Sequence, residues 1–194
     1  MSLCCSNEGL EILRTLKGHF LIKITADDWR DYDRSYGSIK MNLDELAVAI
    51  ENDYRNVFYF GSREELAGYD IVRLTNRDFD PSVMKSDLYV KAINQKISSI
   101  QVIRDTIILN YFREKPREKY VIDQGLIFTL DNMKWTVSQT SLFTPMSQMI
   151  FTDKENGPIK SIAEVKADWE DDDLNGEDDR PTYTVEVERN VLDL

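Results

Sequence analysis

The sequence predicts one α+β domain: a mostly antiparallel sheet, running as a meander in the C-terminal half, with two to four helices from the N-terminal half packed on one face. Three observations lead there. The 194 residues suit a single domain with a sizeable core. Apolar residues are 42% and charged residues 30%, the balance of a folded chain and not of a disordered one. Helical spacing and strand-like runs alternate before Pro81, and β-branched and aromatic runs dominate after it.

Asn7 is placed to cap a helix in which Leu10, Leu13 and Leu16 recur at helical spacing, and Gly18 to close it in a left-handed conformation. His19 to Thr25 reads as a strand. Asn42 followed by Glu45 resembles a capping box, and Leu43, Leu46, Ala47 and Ile50 form one apolar stripe, so a helix is expected up to Tyr54. Val57 to Phe60 reads as a short strand, Ser62 to Glu65 as a helical turn, and Tyr69 to Leu74 as another strand. Strands then follow at Leu88–Ile93, Ile100–Phe112, Tyr120–Ile122, Gly125–Leu130, Lys134–Ser138, Met149–Thr152, Ile159–Val165 and Tyr183–Val187. Turn residues separate them: Arg113 to Lys119 around Pro116, Asp131-Asn132, and Asn156-Gly157-Pro158. Short strands joined by short turns pair with their neighbours, which favours the antiparallel arrangement. The domain spans 1–194, with 168–180 as an exposed acidic loop.

The formal net charge is −11, and its placement carries the information. Eight of the 35 acidic residues lie between Asp168 and Asp179 with no basic residue among them; the other 27 face 24 Lys plus Arg, so the rest of the chain carries only −3. A dense anionic stretch repels phosphate backbones and anionic lipid, so nucleic acid is not the expected partner and a basic protein or a cation is. The longest apolar runs, such as Ile107-Ile108-Leu109, fall far below the roughly 18 residues of a membrane-spanning helix. Cys4 and Cys5 are adjacent and cannot staple distant parts of the fold. Met1 to Asn7 has neither a charged leader region nor an apolar one, which points to the cytoplasm; the alternative is a processed lipoprotein in which Cys4 or Cys5 is a lipidated N-terminus.

Each chemical motif has a plainer reading beside it. Asp171-Asp172-Asp173-Leu174-Asn175-Gly176 matches the opening of an EF-hand calcium loop, but the twelfth position is Thr182 instead of a bidentate Glu. Asp171, Asp173, Asn175, Glu177 and Asp179 are therefore candidate ligands for calcium or magnesium, against the simpler reading of a solvated loop. Trp29, Tyr32 and Tyr36 recur at offsets of three and four with Arg30 and Arg34 between them. A short helix from Asp27 or Asp28 to Gly37 would gather them into a partner-binding face or a packing stripe. His19 is the one histidine, and no nucleophile elbow accompanies it. The glycines are dispersed, without a phosphate-cradling loop. Cys4 and Cys5 are expected to be too mobile to be held against a base. The basic turn with Arg113, Lys115, Arg117 and Lys119 alternates with Glu114 and Glu118 and reads as solvated.

No catalytic residue is assigned. The leading expectation is a non-enzymatic, acidic protein-binding protein of regulatory or toxin-neutralising type, without a cofactor. The alternatives are a divalent-metal-dependent enzyme or cation-binding protein using 171–179, and a subunit of a homo-oligomeric assembly.

Overall fold

Strands make up most of the fold, which overturns the α+β expectation: the sheet is barrel-like and nearly closed, and among the described residues only two short helices accompany it. The computed structural model describes residues 2–26, 34–35, 38–59, 62–75, 89–112, 117–139, 149–153, 159–170 and 183–194. The strands are β1 (Ser2–Leu3), β2 (Phe20–Ala26), β3 (Arg34–Ser35), β4 (Ser38–Leu43), β5 (Ala47–Tyr59), β6 (Ser62–Arg73), β7 (Tyr89–Tyr111), β8 (Glu118–Leu130), β9 (Lys134–Gln139), β10 (Met149–Thr152) and β11 (Tyr183–Asp193). The helices are α1 (Asn7–Leu16) and α2 (Ile162–Glu170). Along the sheet the order is β3-β10-β9-β8-β7-β2-β4-β5-β6, with β1 added to β8 and β11 added to β7. Every pairing is antiparallel except that of β1 with β8.

Three local readings fail for identifiable reasons. The stretch expected as a helix over 42–54 is the β4–β5 hairpin, closed by the Leu43 N–H donating to the Leu46 carbonyl at 2.9 Å. Leu43, Leu46, Ala47 and Ile50 fit a helical stripe, but Ile39, Met41, Leu43, Val48 and Ile50 also fit a period of two. The ladders from β2 and β6 on either side decide for strand. The turn expected at 62–65 is the start of β6, drawn into strand by its register with β5. The strand expected over 159–165 gives way to α2. Here the capping box is real: the Ser161 N–H donates to Glu164 Oε2 at 2.7 Å and the Glu164 N–H to Ser161 Oγ at 3.2 Å. Helix α1 forms as expected one residue earlier, capped by Ser6 Oγ, which accepts the Gly9 N–H at 2.9 Å. Gly18 closes it with φ +93°, a conformation that a side chain opposes.

The central ribbon is β7 with β8. The sequence divides each into two strands, but they run through as single long ones because bulges absorb the breaks. Register shifts fall around Asn94, where φ is +52°, around Ser98, and opposite Gln124. These irregularities bend the ribbon so that two hydrophobic clusters form along it. The larger packs α1 through Leu10, Leu13 and Leu16 against Leu21, Met41, Ile50, Tyr69, Phe128 and Trp135. The smaller gathers Leu3, Leu66, Ile107, Tyr120, Trp169 and Val185, so α2 and β11 lie over the far end of the ribbon.

Where β5 and β6 meet the N-terminal segment, β8 and β9, side chains donate to backbone carbonyls across the gap. The Arg55 guanidinium donates to the Cys4 carbonyl at 3.0 Å, Gln139 Nε2 to the Gly68 carbonyl at 3.0 Å, and the Tyr69 hydroxyl to the Gln124 carbonyl at 3.3 Å. This polar seam brings the sheet close to a closed barrel.

Candidate functional site

Charges inside apolar strands mark the positions where the sequence departs from packing logic, and the structure resolves them into two arginine–carboxylate pairs on β7. Arg104 donates through Nε to Asp123 Oδ1 at 2.6 Å and through Nη2 to Oδ2 at 3.0 Å. Asp123 Oδ2 also accepts the Cys5 backbone N–H at 2.7 Å. Beside it, Arg189 of β11 donates to both oxygens of Asp105 at 2.8 and 2.7 Å. Both carboxylates are fully buried, whereas the Arg104 and Arg189 side chains keep 22% and 19% of their surface exposed. A bidentate guanidinium supplies the geometry that offsets the desolvation of a buried carboxylate.

The register explains why these pairs form. Arg104 stands opposite Asp123 across β7 and β8, and Asp105 opposite Arg189 across β7 and β11, so each couple projects from the same face of neighbouring strands. Consecutive residues Arg104 and Asp105 therefore serve opposite faces of one ribbon. Sequence reasoning missed all four. The available signal was a charged dipeptide inside the run Ile100–Phe112, since charges so placed are paired or absent.

The N-terminal segment belongs to this architecture, correcting the expectation of mobile cysteines. Leu3 and Cys5 are buried on either side of Cys4, and β1 runs parallel to β8 with Leu3 opposite Ile122. Burial, reinforced by the Asp123 carboxylate, pushes the Cys5 thiol far above its usual range; burial also raises Cys4, whose Sγ lies 3.5 Å from the Val121 carbonyl. Thiols held protonated in this way are poor nucleophiles. Tyr69 is fully buried near the same groups, and its hydroxyl is likewise pushed well above the usual range by burial. His19 pairs with Asp44, Nδ1 lying 2.7 Å from Oδ1, and this contact lowers the Asp44 carboxyl below its ordinary value.

Of the residues singled out for partner binding, Arg34 lies in β3, paired with Ile150 of β10, so its backbone is strand and not the expected helix. Trp29, Arg30, Tyr32 and Tyr36 lie outside the described residues, as do Asp171, Asp173, Asn175, Glu177 and Asp179. Two members of the acidic run are on α2. Asp168 is paired with Lys160 at 2.5 Å and Glu170 with Lys166 at 3.4 Å, exposed contacts that each contribute little. Among the described residues no group of three or more His, Cys, Asp or Glu is placed to hold a metal ion. Among them, too, no helix is long and apolar enough to cross a membrane.

β11 follows the acidic run in the chain. It leaves α2 and the acidic run through Tyr183, whose hydroxyl donates to the Trp169 carbonyl at 2.9 Å, and it pairs with β7 without a register break as far as Asp193. Glu186 and Glu188 point outward from it, and Val191 keeps 48% of its surface. Compared with protein-family models, with curated proteins and with solved structures, the chain matches none.

Proposed function

We propose that this chain is a non-enzymatic binding protein whose partner is a basic protein, recognised through surface charge. One observation supports the reading above others: among the described residues, the two fully buried carboxylates are already neutralised by arginines of the same chain. The net charge of −11 is therefore not consumed by these pairs, and the sequence concentrates eight acids between Asp168 and Asp179. A concentrated surface charge chiefly accelerates encounter with an oppositely charged partner, and salt weakens the effect.

The test is the association rate with a set of basic proteins, followed by surface plasmon resonance at about 50 mM and about 500 mM salt. The rate should fall at least about tenfold over that range, and should fall similarly at low salt when Asp171, Asp172, Asp173, Glu177, Asp178 and Asp179 are replaced by their amides. Rates indifferent to both changes would refute charge-led recognition.

A further inference from the structure

We propose that the outer edge of β11 is a docking site for an extended polypeptide segment with Lys or Arg at alternate positions, which joins the sheet as an added strand. The inference rests on the basic-partner reading and specifies how such a partner is held.

The backbone carries the first step. The Leu194 N–H donates to the Ile100 carbonyl at 2.9 Å, and Asp193 stands opposite Gln101 in the same register. In an antiparallel ladder the bonded pairs alternate, so even-numbered residues from 184 to 194 exchange bonds with β7. The N–H and C=O groups of Val187, Arg189 and Val191 then point the other way. Among the described residues no strand pairs with that edge, and β11 runs unbroken along β7 with neither proline nor bulge, the devices that usually blunt an edge.

Side chains decide what the edge accepts. Glu186 and Glu188 stand exposed on one face, while Val185 and Val187 lie on the other, towards the smaller core cluster. A strand laid alongside sets its own residues about 5 Å from these, so it needs cations beside the glutamates and aliphatic groups beside the valines. A second copy of this chain is the wrong occupant. Two antiparallel β11 strands paired about Val187 set Glu186 opposite Glu188, and paired about Glu188 they set Glu188 opposite itself; like charges directly opposite repel. The glutamates thus guard the edge against self-pairing and select a basic strand, a mode of recognition in which backbone bonds supply affinity and alternate side chains supply specificity.

Three blocked peptides of about seven residues separate the possibilities: alternating Lys and Val, alternating Glu and Val, and a Lys peptide of equal charge in which Pro replaces Val and forbids strand pairing. The Lys-Val peptide should bind at least about tenfold tighter than either of the others. It should also slow amide exchange at Val187, Arg189 and Val191, whose N–H groups face away from β7. Val191→Pro removes one outward N–H while leaving the bonds of Asn190 and Leu192 to β7, and should weaken the Lys-Val peptide about tenfold. Should that variant not fold, Glu186→Lys with Glu188→Lys decides instead, since it should exchange the preference to the Glu-Val peptide. Equal binding of the Lys-Val and Lys-Pro peptides, with no protection at the edge amides, overturns strand addition yet leaves the charge-led reading standing. Failure of both Lys peptides to bind at low salt removes that reading and this inference together. Reversible self-association that Val191→Pro abolishes would show the wrong occupant has been assigned.

Discussion

Replacing Arg104 by methionine leaves the Asp123 carboxylate without its bidentate partner in a site where it has no exposed surface. Breaking a buried pair in this way costs about 3–5 kcal/mol, because the remaining charge stays desolvated. The Cys5 N–H, at 2.7 Å, is the one contact of those described here that would still compensate it. For a chain of this length each kcal/mol lowers Tm by about 2–4 °C, so a fall of about 6–20 °C is expected. Asp123→Asn should cost less, about 1–3 kcal/mol: the amide oxygen can still accept from Cys5 or Arg104, and the Arg104 side chain, 22% exposed, can reach water. The sign of the pH response follows. An isolated buried carboxylate has its folded pKa raised, so the Arg104→Met protein should regain stability as pH falls towards the ordinary Asp range and lose it as pH rises. Urea unfolding at about pH 5 and about pH 7 measures both effects. Equal losses for the two variants, within about 0.5 kcal/mol and independent of pH, would refute the argument that burial of the carboxylate sets the cost.

Two other perturbations test neighbouring parts of the structure. A Cβ at Gly125 would lie 2.6 Å from the Val137 carbonyl oxygen and 2.9 Å from Ile159, so Gly125→Ala should destabilise by about 1–3 kcal/mol in urea unfolding; an unchanged midpoint would contradict the β8–β9 packing. The Cys5 thiol, raised in the folded state from its ordinary 9.0, stabilises the fold fully below that value. Its contribution should drain as pH rises beyond it, by up to about 1.4 kcal/mol per pH unit, a slope that Cys5→Ala should reduce. Labelling of Cys5 in the folded protein as fast as in the unfolded chain at neutral pH would show that the residue is not buried.

What was legible in the sequence was local. The α1 stripe with Gly18, the strand at His19 to Thr25, and the strands at Lys134–Ser138, Met149–Thr152 and from Tyr183 onward each show a period and a boundary that neighbouring residues set by themselves. The two capping-box patterns show the limit. Asn42 with Glu45 and Ser161 with Glu164 offer the same local signal, yet the first stretch becomes a hairpin and the second a helix. Backbone partners on β2 and β6 are available to one and not to the other, and no window of adjacent residues contains that information. The candidate site has the same character. Arg104 and Asp105 were visible as charges in an apolar run, but their partners are 19 and 84 residues away.

Amino-acid order by itself determined the amount of charge, its concentration near the C-terminus, and the alternation that makes β11 a strand with glutamates on one side. Only the tertiary structure decided that the mixed pattern resolves into a nearly closed sheet, that two carboxylates are neutralised inside it, and that no described strand pairs with the outer edge of β11. Propensity and periodicity act over a few residues, whereas ladder bonds and buried ion pairs depend on which distant strands the fold sets side by side.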